Sequence, residues 1–451
     1  SRRYENTVYS PYGQLDISFN SNYFGGVGYS PSVTAVQSDG KILVGGYFYF
    51  YVMGYGYVIN LARFNADGTF DTSFSASTNL SVNAIAIQSD GKILIGGAFT
   101  FVNSSPMSHL ARLNTDGSLD TGFAIGSGFN NDVYAITIDN SGKILVGGAF
   151  TTYNSFGTGP LVRLLSDGSR NATLQATYLI NMNNSVNAIA VQSDDKILVG
   201  GTMTMADSIG LASPICRLFS DGSTDISFLS PSAYTYANYI SIQSDGKIVV
   251  SAAPGAESNI IYRHNTDGSL DPGFTPPAVS GNNYYTRGNC HLIQSDGKII
   301  VGGRAYNGAS YGSFYSAVLH RLNSDGSLDT SFENYAVIDG SIINWLTLQP
   351  TLNKVLVSCV GDVHSKVSTV FRISPFDRTS TTTNYEYVTQ GSMSGIYRPS
   401  TLTWSLVGET YVGDDPEVEL SITNTGQVQY TSSNLPGTEL ESMLKFSIIK
   451  L

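Results

Sequence analysis

Apolar residues run through this chain in short bursts, too short for helices and separated by turn residues, and the bursts recur in one order. Residues 83–87 (Asn-Ala-Ile-Ala-Ile) are followed by Asp90 and Gly91 and then by 93–97 (Ile-Leu-Ile-Gly-Gly). A variable connection leads to 110–113 (Leu-Ala-Arg-Leu), and a second Asp-Gly pair, Asp116 and Gly117, to a short run ending at Asp120 and Phe123. Short runs of Ile, Val and Leu joined by Asp-Gly predict antiparallel strands and tight hairpins, because Gly and Asp tolerate the positive φ these turns need. The pattern predicts four strands per unit of about fifty residues.

The unit repeats. The Lys after the first turn returns at Lys41, Lys92, Lys143, Lys196, Lys247, Lys298 and Lys354, 51 to 56 residues apart, and the Arg of the third run at Arg63, Arg112, Arg163, Arg217, Arg263, Arg321 and Arg372. Repeated four-stranded units read as propeller blades, each sandwiched between two others, which explains strands apolar on both faces. The Gly pair closing the second run, Gly45 and Gly46 in the first copy, suits close backbone approach. The seventh copy stops after Phe371, Arg372 and Ile373 without a fourth strand, while Leu15 to Phe19 read as the tail of a unit that lacks a head. Leu15, Ile17 and Phe19 are therefore expected to pair beside Phe371 and Ile373 and close the ring, which removes exposed sheet edges.

The predicted fold is all-β: a seven-bladed β-propeller over 15–377 closed by an N-terminal strand, with an extension over 1–14, a polar linker over 378–383 and a small β-sandwich over 384–451. The sandwich is read from alternating runs at 402–406, 418–423, 428–431 and 444–451.

The words at 37–46 (Gln-Ser-Asp-Gly-Lys-Ile-Leu-Val-Gly-Gly) and 112–123 (Arg-Leu-Asn-Thr-Asp-Gly-Ser-Leu-Asp-Thr-Gly-Phe) resemble the delta-60 repeat, a propeller family, and the resemblance covers roughly 15–377. It implies a secreted or surface protein of a bacterium or virus and carries no catalytic residue or cofactor. Copy four departs from the pattern: Asp195 replaces the turn Gly, and 170–174 replaces Leu-Asp-x-x-Phe, so the pattern defines that blade's outer strand less well than the others. Residues 426–432 (Gly-Gln-Val-Gln-Tyr-Thr-Ser) are similar to short C-terminal modules of viral fibre and surface proteins.

Composition narrows the partners. Of 451 residues, 24 are Lys or Arg and 35 Asp or Glu, a net charge of −11 that argues against nucleic acid. Only 13% of residues are charged, with 47 Gly and 28 Tyr, which suggests an extracellular β-rich surface. The stretch 42–62 is charge-free and long enough to span a bilayer, but the repeat cuts it into strand, loop and strand, so no membrane span is expected. Cys216, Cys290 and Cys359 are too few for a disulfide framework and read as buried thiols. The first residue is Ser1 rather than Met, which suggests a removed N-terminal segment.

Several candidate sites carry two readings. Ser32, Asn83, Tyr134, Asn187, Asn238, Asn289 and Asn344 form a column at the start of the innermost strands: a polar ring for an ion or sugar, or side chains bonding local backbone. Segments such as 65–71 have some calcium-loop character but lack the closing Glu, and an Asx turn with an Asp facing the repeated Arg is the alternative. The acidic cluster Asp414, Asp415, Glu417 and Glu419 reads as a solvated loop, and the sequons at Asn79, Asn103, Asn171 and Asn183 permit glycosylation. None of the five His sits in a nucleophile elbow or a metal-ligand pair. The connections between second and third strands hold Tyr47, Tyr49, Tyr51, Tyr55 and Tyr57 in copy one and Tyr306, Tyr311 and Tyr315 in copy six. These rings form an interface or glycan contact, or half of them pack inward.

The expected function is non-enzymatic, with no cofactor and no metal: a structural subunit of an extracellular or virion fibre. It would assemble head-to-tail with copies of itself, the segment of Tyr4, Thr7, Val8 and Tyr9 adding a strand to a neighbour. The alternative is a propeller that binds glycans or a cell-surface receptor, as in an adhesin or phage tail protein. A polysaccharide-active enzyme is a distant third.

Overall fold

The computed structural model describes residues 14–15, 30–174, 185–202, 214–229, 236–253, 260–277, 287–306, 315–332, 335–339, 341–352, 354–361 and 369–374, and the strands of 404–450. The chain divides into two compact units, one of them Leu15–Pro375, the other Ser1–Gln14 with Phe376–Leu451.

Leu15–Pro375 is a propeller-like succession of antiparallel sheets, each built from three consecutive strands in the order inner, middle, outer. In chain order the sheets are Ser30–Val36, Ile42–Val52 and Gly56–Phe64; Val82–Ile87, Ile93–Gly97 and Leu110–Leu113; Val133–Ile138, Ile144–Gly148 and Leu161–Leu164; Val186–Val191, Ile197–Gly201 and Ile215–Leu218; Tyr236–Ile242, Ile248–Ala253 and Ile260–His264; Arg287–Ile293, Ile299–Tyr306 and Tyr315–Leu322; and Ser341–Gln349, Lys354–Gly361 and Thr369–Ser374. Tyr335–Asp339 adds a strand to the sixth, and Gln14–Leu15 lies beside Thr369–Ser374 in the last. In the other unit Trp404–Glu409 pairs with Lys445–Lys450, and Val418–Ile422 with Val428–Ser432.

In the first six units the predicted fourth strand is corrected to a single bridging pair followed by a turn, as between Phe64 and Phe70 or Leu113 and Leu119. The carboxylate of the repeat takes over the role of a neighbouring strand. Asp71 Oδ1 accepts from the backbone N and hydroxyl of Ser73 at 3.0 and 2.6 Å, curling the chain before a fourth strand can extend. The same residues form the electrostatic core of each unit. Asp71 Oδ2 lies 2.7 Å from Arg63 Nε and 2.9 Å from Lys41 Nζ, and the Arg63 guanidinium sits 4.6 Å over the Phe74 ring. Equivalent clusters recur at Arg112, Asp120 and Lys92, and at Arg263, Asp271 and Lys247. Burial opposes charge on Asp120, but Lys92, Arg112 and the Gly122 N–H together hold its pKa at about 2.

These arginines also join successive sheets. Arg63 donates to the Thr115 carbonyl, Arg112 to Ser166, Arg217 to Thr266 and Arg263 to Ser324, each in the next unit. Arg372 of the last sheet donates in the same way to Ala66 in the first unit. Small residues on the middle strands let the sheets approach. A Cβ on Gly200 would fall 2.7 Å from Ile240 Cδ1 of the next inner strand; within a sheet, one on Gly97 would fall only 2.0 Å from the Ser81 carbonyl oxygen at the start of its own inner strand.

The departures assigned to copy four are accommodated locally. Asp195 adopts φ 64°, the backbone of the Gly it replaces. Residues 170–174 belong to the third unit, where Asn171 stands at the position of Asp71 and Asp120. The lost charge is replaced from another strand end: Asp139, at the position of Gln37 and Gln88, brings Oδ2 within 3.9 Å of Arg163 Nη1.

Candidate functional site

The tyrosine connection of the first unit is not a loop. It continues the strands Ile42–Val52 and Gly56–Phe64 into one long hairpin, with Tyr49 opposite Ile59, Phe50 opposite Val58 and Tyr51 opposite Tyr57. Strand alternation sorts its rings. Phe48 and Phe50 are buried, whereas Tyr47, Tyr49, Tyr51 and Tyr57 are 54, 56, 62 and 68% exposed. Tyr51 and Tyr57 meet edge to face at 5.3 Å. Tyr55 turns back, its ring on Phe70 at 5.0 Å and its hydroxyl donating to the Phe74 carbonyl at 2.8 Å.

The second and third units raise shorter hairpins from the same connection. Phe101–Val102 pairs with Ser105–Pro106, and Thr152–Tyr153 with Phe156–Gly157. Their tips, Asn103 with Ser104 and Asn154 with Ser155, all have positive φ, the geometry of a type I′ turn. Phe101 and Phe156 are exposed. Hydrogen bonds join the three hairpins. Asn60 takes the Phe48 N–H and gives its amide to the carbonyls of Thr78 and Leu80. Asn79 accepts from the backbone of Thr100 and Phe101, and Thr78 bridges Val102. Asn130 repeats the contact on Thr151 and Thr152, and Phe129 bridges Tyr153. The sequence reading missed Phe101, Phe156 and these Asn buttresses. The recurring Asn-Ser tips were the available signal.

The copy-six candidates are placed only in part. Tyr306 and Tyr315 face each other in backbone register, while their side chains and Tyr311 lie outside the described residues. Tyr4, Thr7, Val8, Tyr9, Ile17 and Phe19 also lie outside, as do Asp414, Asp415, Glu417 and the side chain of Glu419. Leu15 is in the strand beside Thr369–Ser374; Phe371 pairs with Val357 and Ile373 is buried.

The inner-strand column has a structural origin: each member sits where the register between inner and middle strand slips, as at Asn83 between Val82 and Ala84 and Asn187 between Val186 and Ala188. Asn187 Nδ2 donates to Asn238 Oδ1 at 3.4 Å in the next sheet, and Asn83 to the Val133 carbonyl at 3.3 Å. Just beyond this column, Tyr239 of the fifth sheet meets Trp345 of the seventh edge to face at 5.2 Å, and Tyr239 also packs on His291 at 5.0 Å. His291 is fully buried, its Nδ1 2.8 Å from the Ser251 hydroxyl. Ser251 occupies a Gly position of the middle strand and His291 the Ile position facing it.

The other candidates are absorbed by structure. Asp67 accepts from the backbone N and hydroxyl of Thr69, and Asp71 is committed to Arg63 and Lys41, so segment 65–71 is a turn. The amides of Asn79, Asn103 and Asn171 are engaged with backbone or hydroxyl groups, and Asn183 lies outside the described residues. Burial pushes the Cys216 thiol up to about 12 and raises those of Cys290 and Cys359. Among the described residues no group of three His, Cys, Asp or Glu could hold a metal ion, and no helix is long and apolar enough to cross a membrane.

Fold and repeat together define an all-β propeller-like chain. Residues 37–74, 88–123, 140–174, 192–228, 243–274 and 294–332 match the model of a family described as Domain of unknown function (DUF5122) beta-propeller, so the chain carries the repeats of a β-propeller family. No curated protein matches. Among solved structures it is similar to the WD40 beta propeller domain of Doa1, at 16% identity over 81% of this chain and 98% of that one, with a TM-score of 0.43. It is also similar to a catalytically inactive virginiamycin B lyase from Staphylococcus aureus, at 14% identity over 78% and 98%, TM-score 0.42. A polysaccharide lyase, ulvan lyase, follows at 11% identity over 79% and 96%, TM-score 0.41.

Proposed function

We propose that this chain is a non-catalytic recognition module of an extracellular or virion surface, built on a closed seven-bladed ring with a small C-terminal β-sandwich. The observation that carries the recognition role is the hairpin of the first unit. Four tyrosines face solvent on one side of a ribbon whose opposite side, Phe48 and Phe50, is anchored in the core. Exposed aromatic clusters of this kind mark contact surfaces, and a ribbon fixed in advance loses little entropy on binding. Closure is supported by Arg372, which reaches the first unit as the other arginines reach the next, and by Gln14–Leu15 in the last sheet.

The test compares the wild type with the Tyr49→Ala, Tyr51→Ala, Tyr57→Ala variant on a glycan array and by sedimentation. Binding or self-association that the variant lacks upholds the role. Identical behaviour of the two proteins overturns it. Because the three side chains are exposed, the variant should keep its thermal midpoint. Head-to-tail fibre assembly through residues 1–14 is a second reading, favoured by the anchoring of Gln14–Leu15 at a sheet edge, which gives the preceding segment a fixed starting point.

A further inference from the structure

Charge is distributed unevenly along each of the first three units. Asp39, Lys41, Arg63, Asp67 and Asp71 gather at the strand ends that carry the Asp-Gly turns. The opposite ends carry only the pair His109 and Asp132, 3.5 Å apart at the foot of the second hairpin: residues 47–62, 75–85, 98–108, 124–131 and 149–162 contain no Asp, Glu, Lys, Arg or His. These segments are the three hairpins and the two connectors that Asn60, Asn79 and Asn130 hydrogen-bond to them. They also hold most of the large apolar side chains exposed among the described residues, including Tyr49, Tyr51, Tyr57, Leu80, Phe101 and Phe156. The corresponding connections of the next three units each contain a charge, Asp207, Glu257 and Arg304.

Resting on the recognition role proposed above, we infer that the hairpins of the first three units form one continuous binding surface for an uncharged polysaccharide. The surface presents aromatic rings, against which the C–H faces of sugar rings stack, among hydroxyl and amide groups. It offers no Lys or Arg to an acidic glycan, its one imidazole, His109, is taken by Asp132, and the chain's net charge of −11 repels an anion. It has no basic residue to hold a lipid headgroup. A protein partner would need charged rim residues to set its register, and the only pair bordering this surface is His109 with Asp132. Alternate residues of a strand are spaced about 6.8 Å apart, so Tyr47, Tyr49 and Tyr51 line a track of about 14 Å, and Phe101 and Phe156 extend it to the neighbouring units. Such a track suits a polymer better than a single sugar.

Native gels containing neutral polysaccharides (a glucan, a mannan, a xylan) or anionic ones (alginate, heparin) test this with the full chain. At least one neutral polymer is expected to retard the wild type, and raising the salt to about 0.5 M should not release it, since no screened charge is involved. The Phe101→Ala, Phe156→Ala variant, which leaves the first hairpin intact, should weaken binding on the order of tenfold. Retardation by anionic polymers alone, release by salt, or full affinity in the Phe101→Ala, Phe156→Ala variant overturns this inference while leaving the tyrosine hairpin as a recognition element. So does a protein that only self-associates through that hairpin. Loss of difference between the wild type and the tyrosine variant in every arm overturns both.

Discussion

Lowering the pH from 7 to 4.5 is expected to weaken this protein at its buried histidines, above all at a seam between the fifth and sixth sheets. His291 is fully buried, with the Ser251 hydroxyl on Nδ1, the Tyr239 ring against its face and no hydrogen-bond partner at Nε2. Neither Tyr239 nor the neighbouring Cys290 carries charge in this range, since burial raises both pKa values. Burial pushes the pKa of His291 down from 6.5 to about 3. A pKa lower in the folded than in the unfolded chain gives stability that is complete above 6.5 and is lost as the pH falls towards 3. At pH 4.5, about two units below the unfolded value, the loss is about 2.7 kcal/mol at about 1.36 kcal/mol per unit. The carboxylates that pair with the repeated Arg are silent in this window. Asp120, Asp271 and Asp329 are held at about 2 against an ordinary 3.8, so their contribution is intact above 3.8 and is lost only as the pH falls through 2. His264, whose pKa burial also lowers, responds equally in any variant that leaves it untouched. The informative variant is His291→Ile with Ser251→Gly, which installs the facing pair found at Gly45 and Ile85 or Gly147 and Ile189 and removes the titrating group without opening a cavity. Urea unfolding at the two pH values should show this variant losing about 2–3 kcal/mol less than the wild type. Equal losses would refute the reasoning.

Asp139→Asn should destabilise the protein by about 3–5 kcal/mol in urea, because Arg163 is buried and Asn171 cannot replace the charge. Adding Asn171→Asp to that variant should recover most of the loss by restoring the arrangement of the other units. Gly200→Ala should cost about 1–3 kcal/mol and be relieved by Ile240→Val or Ile240→Ala, since the added methyl meets the end of a side chain. Gly97→Ala meets the Ser81 backbone carbonyl, so no side-chain truncation should rescue its thermal midpoint.

The repeat was legible because each column does the same work in every unit. Asp71 joins Lys41 to Arg63 and Arg63 covers Phe74, so the four letters recur together in most units, and the third, which has Asn171, must find its charge elsewhere. The fourth strand was misread for the same reason: the Asp that marks it bonds its own turn, a side-chain act that an apolar-run pattern does not register. The tyrosine hairpin was partly legible. Alternation of Tyr47, Phe48, Tyr49, Phe50 and Tyr51 is a strand pattern, but its aromatic and Gly content drew it towards a loop.

Features that depart from the repeat were invisible one at a time, because the physics lies in pairs. Ser251 breaks a Gly column and His291 an Ile column, 40 residues apart, and each looks like drift until the sheets are stacked and the two side chains meet. Asp139 and Asn171 exchange a charge between two strand ends in the same way. Ser358 and Thr34 replace a Gly and the facing Ile between the last and first sheets, where Ser358 donates to the Pro31 carbonyl at 2.7 Å. The residues that vary freely are those no neighbouring sheet requires, and on the first three units these are the hairpins. With the repeat's charged positions committed to holding sheets together, the recognition role proposed above would draw its specificity from what the hairpins carry and from how firmly Asn60, Asn79 and Asn130 hold them.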